Sequence, residues 1–346
     1  MHNSSFKVKF SFGLAGLVLL SASGILIGST YIPPESTLSI LLNDSDVPRA
    51  WEIIIWDIRI PRTLTALSVG AGLGIAGLQM QTLFRNPVAD SSILGVTAGA
   101  SWGVALTVLL GQSSAVGLFA VGTGWDFVST VTISAITGAL IVLVAVLFIS
   151  QRVHSIGILL IIGLMISYGL ASGITLLVAY ADPENIQRYL IWGFGSFRTV
   201  GWQGLAILMP SLLLSVGIAL YTLKQLNALL FGEPYATSVG VNITRLRILT
   251  LSSTAICAGV STAFCGPITF IGIAAPHLAR FTVGSSDHLK IAPLTAITGA
   301  SIGLIAEIIA QLPGHNSVLP LNAVTALLGA PVVIWILITY RKTSHV

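Results

Sequence analysis

Charge is what this chain has least of. Only 8% of its 346 residues are Asp, Glu, Lys or Arg, whereas a soluble domain carries about 25%. So few charges cannot cover a water-facing surface, so lipid must be the solvent for most of the chain. Cysteine is also scarce: Cys257 and Cys265 share one apolar run. That excludes a disulfide framework. Two thiols without His or carboxylate neighbours make a poor metal site, which leaves buried structural cysteines. Reactive motifs are missing too. There is no G-x-x-x-x-G-K-[ST], no H-E-x-x-H and no G-x-S-x-G, so the chain has no nucleotide-binding P-loop of its own and no machinery for a membrane enzyme. Gly72, Gly74 and Gly77 do fit G-x-G-x-x-G. They lie in the middle of an apolar run with no preceding strand, which excludes the dinucleotide reading.

What the chain has is apolar length: 54% of its residues are hydrophobic. A helix needs about 20 apolar residues to cross about 30 Å of hydrocarbon. Charges and breakers divide the chain into ten such spans. They run over 10–30, 63–84, 92–111, 127–151, 154–181 and 199–223. A full span and a short one follow in 248–279, turning at Gly266-Pro267, and the last two are 291–311 and 318–340. A Gly-rich loop follows the third, and a polar stretch, 224–247, follows the sixth. Lys7 and Lys9 before the first run imitate a signal peptide, but the run is longer than a cleaved h-region, so it reads as an uncleaved helix. The expected fold is all-α: a compact bundle of about ten spans, one permease domain over 1–346; eight or nine full spans with re-entrant pieces would fit almost as well.

The net charge of +4 belongs to short connections and reports orientation, not nucleic acid. With the N-terminus inside, Lys7, Lys9, Arg85, Arg152, Lys224, Arg245, Arg247, Arg280, Lys290, Arg341 and Lys342 are cytoplasmic. Arg49, Arg59, Arg62, Arg188 and Arg198 are outside, with Glu35, Asp44, Asp46, Glu52, Asp57, Asp126, Asp182 and Glu184. An even span count puts both termini inside. Small residues recur four apart at Gly70/Gly74, Gly95/Gly99/Gly103, Gly169/Gly173 and Gly299/Gly303, which lets helix backbones approach closely in lipid. Ionisable groups within spans are few, chiefly Glu307 and His277. Glu307 is expected to pair structurally near the outer interface. That scarcity argues against ion coupling, which uses several such carboxylates along a path.

Three segments carry more. Arg59-Ile60-Pro61-Arg62 leads to Arg85-Asn86-Pro87-Val88-Ala89-Asp90 and Ile93-Leu94-Gly95-Val96. Leu226-Asn227-Ala228-Leu229-Leu230-Phe231-Gly232-Glu233 precedes Ala236 and Gly240-Val241. Cys265-Gly266-Pro267-Ile268-Thr269-Phe270-Ile271-Gly272 is followed by Pro276-His277-Leu278-Ala279-Arg280 and Val324-Thr325-Ala326-Leu327-Leu328-Gly329-Ala330-Pro331. In this order, over residues 57–340, they resemble the FecCD or BtuC type of permease in iron-siderophore, haem and cobalamin importers of the ATP-binding-cassette (ABC) class.

The resemblance implies a bacterial inner-membrane permease. It pairs with a second copy or a homologous permease, and two separate ATPase subunits carry the ATP and Mg. A substrate-binding protein delivers a metal chelate. No cofactor is expected on this chain. From residues alone, 227–241 is a stretch too polar to span, broken by Gly232 and Pro234, and an ordinary solvated loop would fit. The resemblance makes it the ATPase-coupling element, with Leu226, Asn227, Leu229, Gly232, Glu233, Ala236 and Gly240. Arg59 and Arg62 cap or anchor the second span, or pair with Asp57; the resemblance implies docking to acidic groups of the binding protein. In the cobalamin permease another arginine follows the ninth span, where this chain has Gln311. Asn86 and Val88, with Ile156 and Gly157 in the next inner connection, match the family's cytoplasmic gate. Ser167, Tyr168 and Ser172 match its translocation path.

Overall fold

The structure, a computed structural model, describes residues 2–42, 47–111, 127–153, 155–311 and 319–343. The Gly-rich stretch after Gly111, His154, and the acids Asp44, Asp46 and Asp126 lie outside the described residues. Every regular element among those described is helical. They are α1 (His2–Leu26), α2 (Pro34–Leu41), α3 (Arg49–Ile53), α4 (Ile60–Leu83), α5 (Val96–Leu109), α6 (Phe127–Arg152), α7 (Ile156–Tyr180), α8 (Pro183–Gly193), α9 (Trp202–Leu229), α10 (Glu233–Ser238), α11 (Ile243–Cys265), α12 (Ile271–Val283), α13 (His288–Ala310) and α14 (Leu321–Thr343).

Each expected span has its helix. Among the described residues seven are long and apolar enough to cross a membrane, and Val96–Leu109 and Leu321–Trp335 are shorter apolar pieces. The short eighth span is α12, begun after Gly266 turns the chain at φ +75. Several boundaries differ from the sequence expectation: α1 starts at His2 and α11 at Ile243, and two others have a reason visible in the packing. The second span begins well before residue 63, because α3, a π-helical turn at Ile54–Arg59 and α4 run on as one 35-residue helix. Arg59 and Arg62 did not stop it because both are buried and hydrogen-bonded to the carbonyls at the end of α1 and just beyond it. The sixth span extends past residue 223 to Leu229, because Leu226 and Leu229 are buried and continue the apolar face beyond Lys224.

The chain forms two compact units. Unit 1 is Met1–Ile75, Ser196–Pro210 and Thr269–Val346; unit 2 is Ala76–Gly195 and Ser211–Ile268. In unit 1, α4 and α13 meet backbone to backbone: Gly70 and Gly299 each leave no room for a Cβ against the other's carbonyl, and Gly303 lies against Ala66. In unit 2, Gly99 and Gly103 of α5 do the same with Gly138 and Ser134 of α6. These are the close approaches that replace a hydrophobic drive in lipid. The pair on α7 behaves differently: Gly173 seats the Trp102 ring, whereas Gly169 has nothing near it. Cys257 and Cys265 are both free and buried.

Candidate functional site

The polar stretch after the sixth span resolves into a six-residue helix between two glycine hinges. Gly232 precedes α10 at φ +112 and Gly240 follows it at φ +86, conformations that only glycine adopts at low cost. At its C-terminus, Gly240 N–H donates to the Thr237 carbonyl and Val241 N–H to that of Ala236. This is the paired closure of a left-handed helix cap. Asn242 then caps α11, its side-chain oxygen accepting from Arg245 N–H at 2.9 Å. Leu226, Leu229 and Ala236 are buried and hold this hairpin to the unit. The outward side is apolar: Phe231 is 76% exposed, with Leu230, Tyr235 and Val239 beside it. The Phe231 and Tyr235 rings are 5.2 Å apart. Asn227 and Glu233 are half-buried.

The two inner connections are in the same unit. Arg85 ends α4 in the left-handed region at φ 47, and Asn86 N–H closes the cap on the Gln81 carbonyl. The Asn86 side chain accepts from Val88 N–H at 3.1 Å, which fixes the turn and leaves Val88 exposed. Asp90, a residue the sequence did not single out, is buried and accepts from Ser91 N–H at 2.7 Å and from the Ser91 and Ser92 hydroxyls. Burial pushes its carboxyl above the usual aspartate range, and those serine hydrogen bonds oppose the shift. Ile156 and Gly157 are the first two residues of α7. Ser155 caps them, its hydroxyl accepting from Ile158 N–H at 3.4 Å, and Gly157 is exposed.

The residues expected on the path divide between two faces of α7. Tyr168 is 65% exposed and lies on a stripe with Ile158, Ile161, Met165 and Ser172. Ser167 turns the other way, towards Gly95. The Ser172 hydroxyl donates to the Tyr168 carbonyl at 2.9 Å and Ser167 to Gly163 at 2.9 Å, so their protons are already used on their own helix.

Arg59 and Arg62 occupy an internal clamp in unit 1. Arg59, 1% exposed, donates to the carbonyls of Ile25, Leu26 and Thr30. Arg62, 4% exposed, donates to those of Gly24 and Ile27. It also bonds Gln311 and pairs with Glu307 at 3.1 Å; Gln311 in turn bonds Glu307. Neither guanidinium is presented to a partner. Both lie at the C-terminal end of α1, where unsatisfied carbonyls favour cations.

A multi-pass helical transporter with a rigid, hinged helix between two spans is the class that fold and site define. The chain belongs to the FecCD transport family, which it matches over residues 15–339. It is similar to the vitamin B12 import system permease protein BtuC of Klebsiella pneumoniae subsp. pneumoniae, 36% identical over 95% of this chain and 94% of the other. It is 35% identical to the Citrobacter koseri protein of that name, over 84% of each chain. A solved inward-facing conformation of a metal-chelate type ABC transporter superposes with a TM-score of 0.80 at 27% identity, covering 96% of this chain and 99% of that one. The PsaBC structure from Streptococcus pneumoniae, at 15% identity and a TM-score of 0.55 over 80% of this chain and 89% of that one, shares the fold alone. The chain is therefore a transporter permease subunit of the BtuC type, which is not in itself an enzyme.

Proposed function

We propose that this permease imports a metal chelate of the cobalamin, siderophore or haem class across a bacterial inner membrane by alternating access. Both termini are cytoplasmic, and a second copy or a homologous permease completes the path. Two separate ATPase subunits bind the ATP and Mg. A loaded binding protein docks outside, ATP binding closes the ATPase pair, and hydrolysis resets it.

The observation that carries this reading is α10. A six-residue helix fixed at both ends and bearing an exposed Phe231–Tyr235 rim is a stiff lever with an apolar face. It suits a cleft on another protein better than it suits water. Tyr168 and Ser172 would line the path with weak, already satisfied hydroxyls, as suits a conduit that must release a bulky ligand. Asn86, Val88, Ile156 and Gly157 would form the inner gate. Docking through Arg59 and Arg62 would require both to leave the α1 carbonyls. Arg198, exposed and electrostatically coupled to Arg62 and Glu307, is a better-placed cation for an acidic partner. Glu307 is already neutralised by Arg62, which weakens the rival reading of an ion-gradient transporter.

Mild-detergent purification of the tagged chain from its native membrane tests this. A P-loop ATPase near 1:1, lost when Gly232 and Glu233 are replaced, is the expected result. A permease that purifies without any ATPase would overturn it.

A further inference from the structure

The importer reading leaves open how motion at α10 reaches the gate. Arg247 lies in the first two turns of α11 and is 7% exposed. One end of its guanidinium, Nη1, donates to the carbonyl of Val153 at 2.9 Å. The other, Nη2, is 3.8 Å from the carboxylate of Glu233, the first residue of α10. Val153 directly follows Arg152, the last residue of α6, and lies three residues before Ile156, where α7 begins. The same short helix also meets the other inner connection: a Cβ on Gly232 would lie 3.8 Å from Arg85 Nη2. One apolar core backs the whole assembly. It contains Leu226 and Leu229 before α10, Leu246 after it, Phe84 and Ala89 of one connection, and Leu159 of the other.

We propose that Arg247 is a positioning residue that couples α10 to the gate, by holding Glu233 and the Val153 carbonyl on one planar fork. This rests on α10 being the ATPase-facing element. Arginine suits the task because its rigid plane donates to the Val153 carbonyl at one end while its charge faces the Glu233 carboxylate at the other; lysine is a single flexible point charge. A mere cap on the C-terminus of α6 would need the carbonyl contact alone. The contact to Glu233 is the part a cap does not require, and Glu233 belongs to the element that a partner would move. When α10 tilts, the fork carries the α6–α7 connection with it, and the shared core carries the α4–α5 connection.

The experiment uses the whole transporter, permease with its ATPases and binding protein, in lipid vesicles. A cysteine at the exposed gate position, Gly157→Cys, is labelled with a thiol reagent with and without ATP plus vanadate. In the otherwise unsubstituted transporter the labelling rate changes with nucleotide. In Arg247→Gln the ATPase stays bound and hydrolyses ATP, while the nucleotide-dependent change shrinks about tenfold, within the usual range of coupling between sites. Arg247→Lys, which keeps the charge and the buried stem, gives an intermediate response. A full nucleotide response in Arg247→Gln overturns the proposal. Should Arg247→Gln fail to assemble, a full response in Arg247→Lys overturns it equally. Absence of any ATPase with the unsubstituted chain would overturn the importer reading, and the proposal with it.

Discussion

Unit 1 and unit 2 each bury arginine against the carbonyl end of a helix, but they do so to different depths of commitment. In unit 1, Arg59 and Arg62, themselves buried, together hold five carbonyls, a buried glutamate and a buried glutamine. In unit 2, the two contacts described for Arg247 are a single carbonyl and a glutamate whose side chain is 40% exposed. The first arrangement is over-determined and fixes α1. The second has one solvent-facing partner and can re-form around a moving helix. A static anchor and a moving joint thus use the same side chain, and what differs is the acidic partner: Glu307 is buried, whereas Glu233 faces solvent.

The sharpest way to break the comparison is to strip one partner from the anchor. Glu307→Ala leaves Arg62 with an uncompensated buried charge and should cost about 3–5 kcal/mol, read as a large fall in Tm in detergent. Arg62→Met with Glu307→Leu should recover much of that loss, since apolar replacement of a buried pair is often neutral. Next in size is overpacking. Gly103→Leu drives a side chain into the Ser134 carbonyl and should cost roughly 1–3 kcal/mol or more, whereas Gly169→Ala meets nothing and should gain up to about 1 kcal/mol from helix propensity.

At the joint, Arg247→Gln should cost less stability than Glu307→Ala, because Glu233 is 40% exposed and is solvated when its partner is lost, while its effect on gate response is large. A Tm loss as great as that of Glu307→Ala would erase the distinction drawn above. Phe231→Ala should leave stability within about 0.5 kcal/mol yet weaken ATPase association by about 2 kcal/mol, as for an aromatic anchor in a partner's pocket; equilibrium titration of the detergent-purified permease with its ATPase checks it. The smallest effect concerns Asp90. Its folded carboxyl titrates above its unfolded value, so the native state binds more protons in that window and stability falls as pH rises through it. Asp90→Asn should flatten that slope in a Tm-against-pH series.

The all-helical bundle, roughly its number of spans, and most of the small-residue contacts were legible because they follow from local spacing. Glycines four apart put bare backbone on one helix face, and Gly70, Gly99, Gly103 and Gly299 met their partners accordingly. Charge misled as a span terminator. Arg62 and Lys224 both read as the ends of spans, yet the helices run past them, because partners distant in sequence or a continuing buried face outweigh a single charge. Gln311 read as an arginine lost from a docking surface, whereas in the fold it completes the Glu307–Arg62 cluster. Arg247 was visible only as one more inner cation. Its partners, Val153 and Glu233, are separated in sequence by α7, α8 and α9, and no spacing rule in one sequence brings them together. A basic residue just inside a span, directly after a hinged polar helix, is the signal that could have drawn attention to it.

The central claim is that ATP-driven movement of α10 powers import. The most direct test is uptake of a labelled cobalamin or iron chelate into vesicles holding the permease, its ATPases and its loaded binding protein. Accumulation should require both ATP and the binding protein and be lost in Gly232→Pro, which locks the hinge at a negative φ. Accumulation driven by an ion gradient alone, without ATPase, would contradict it.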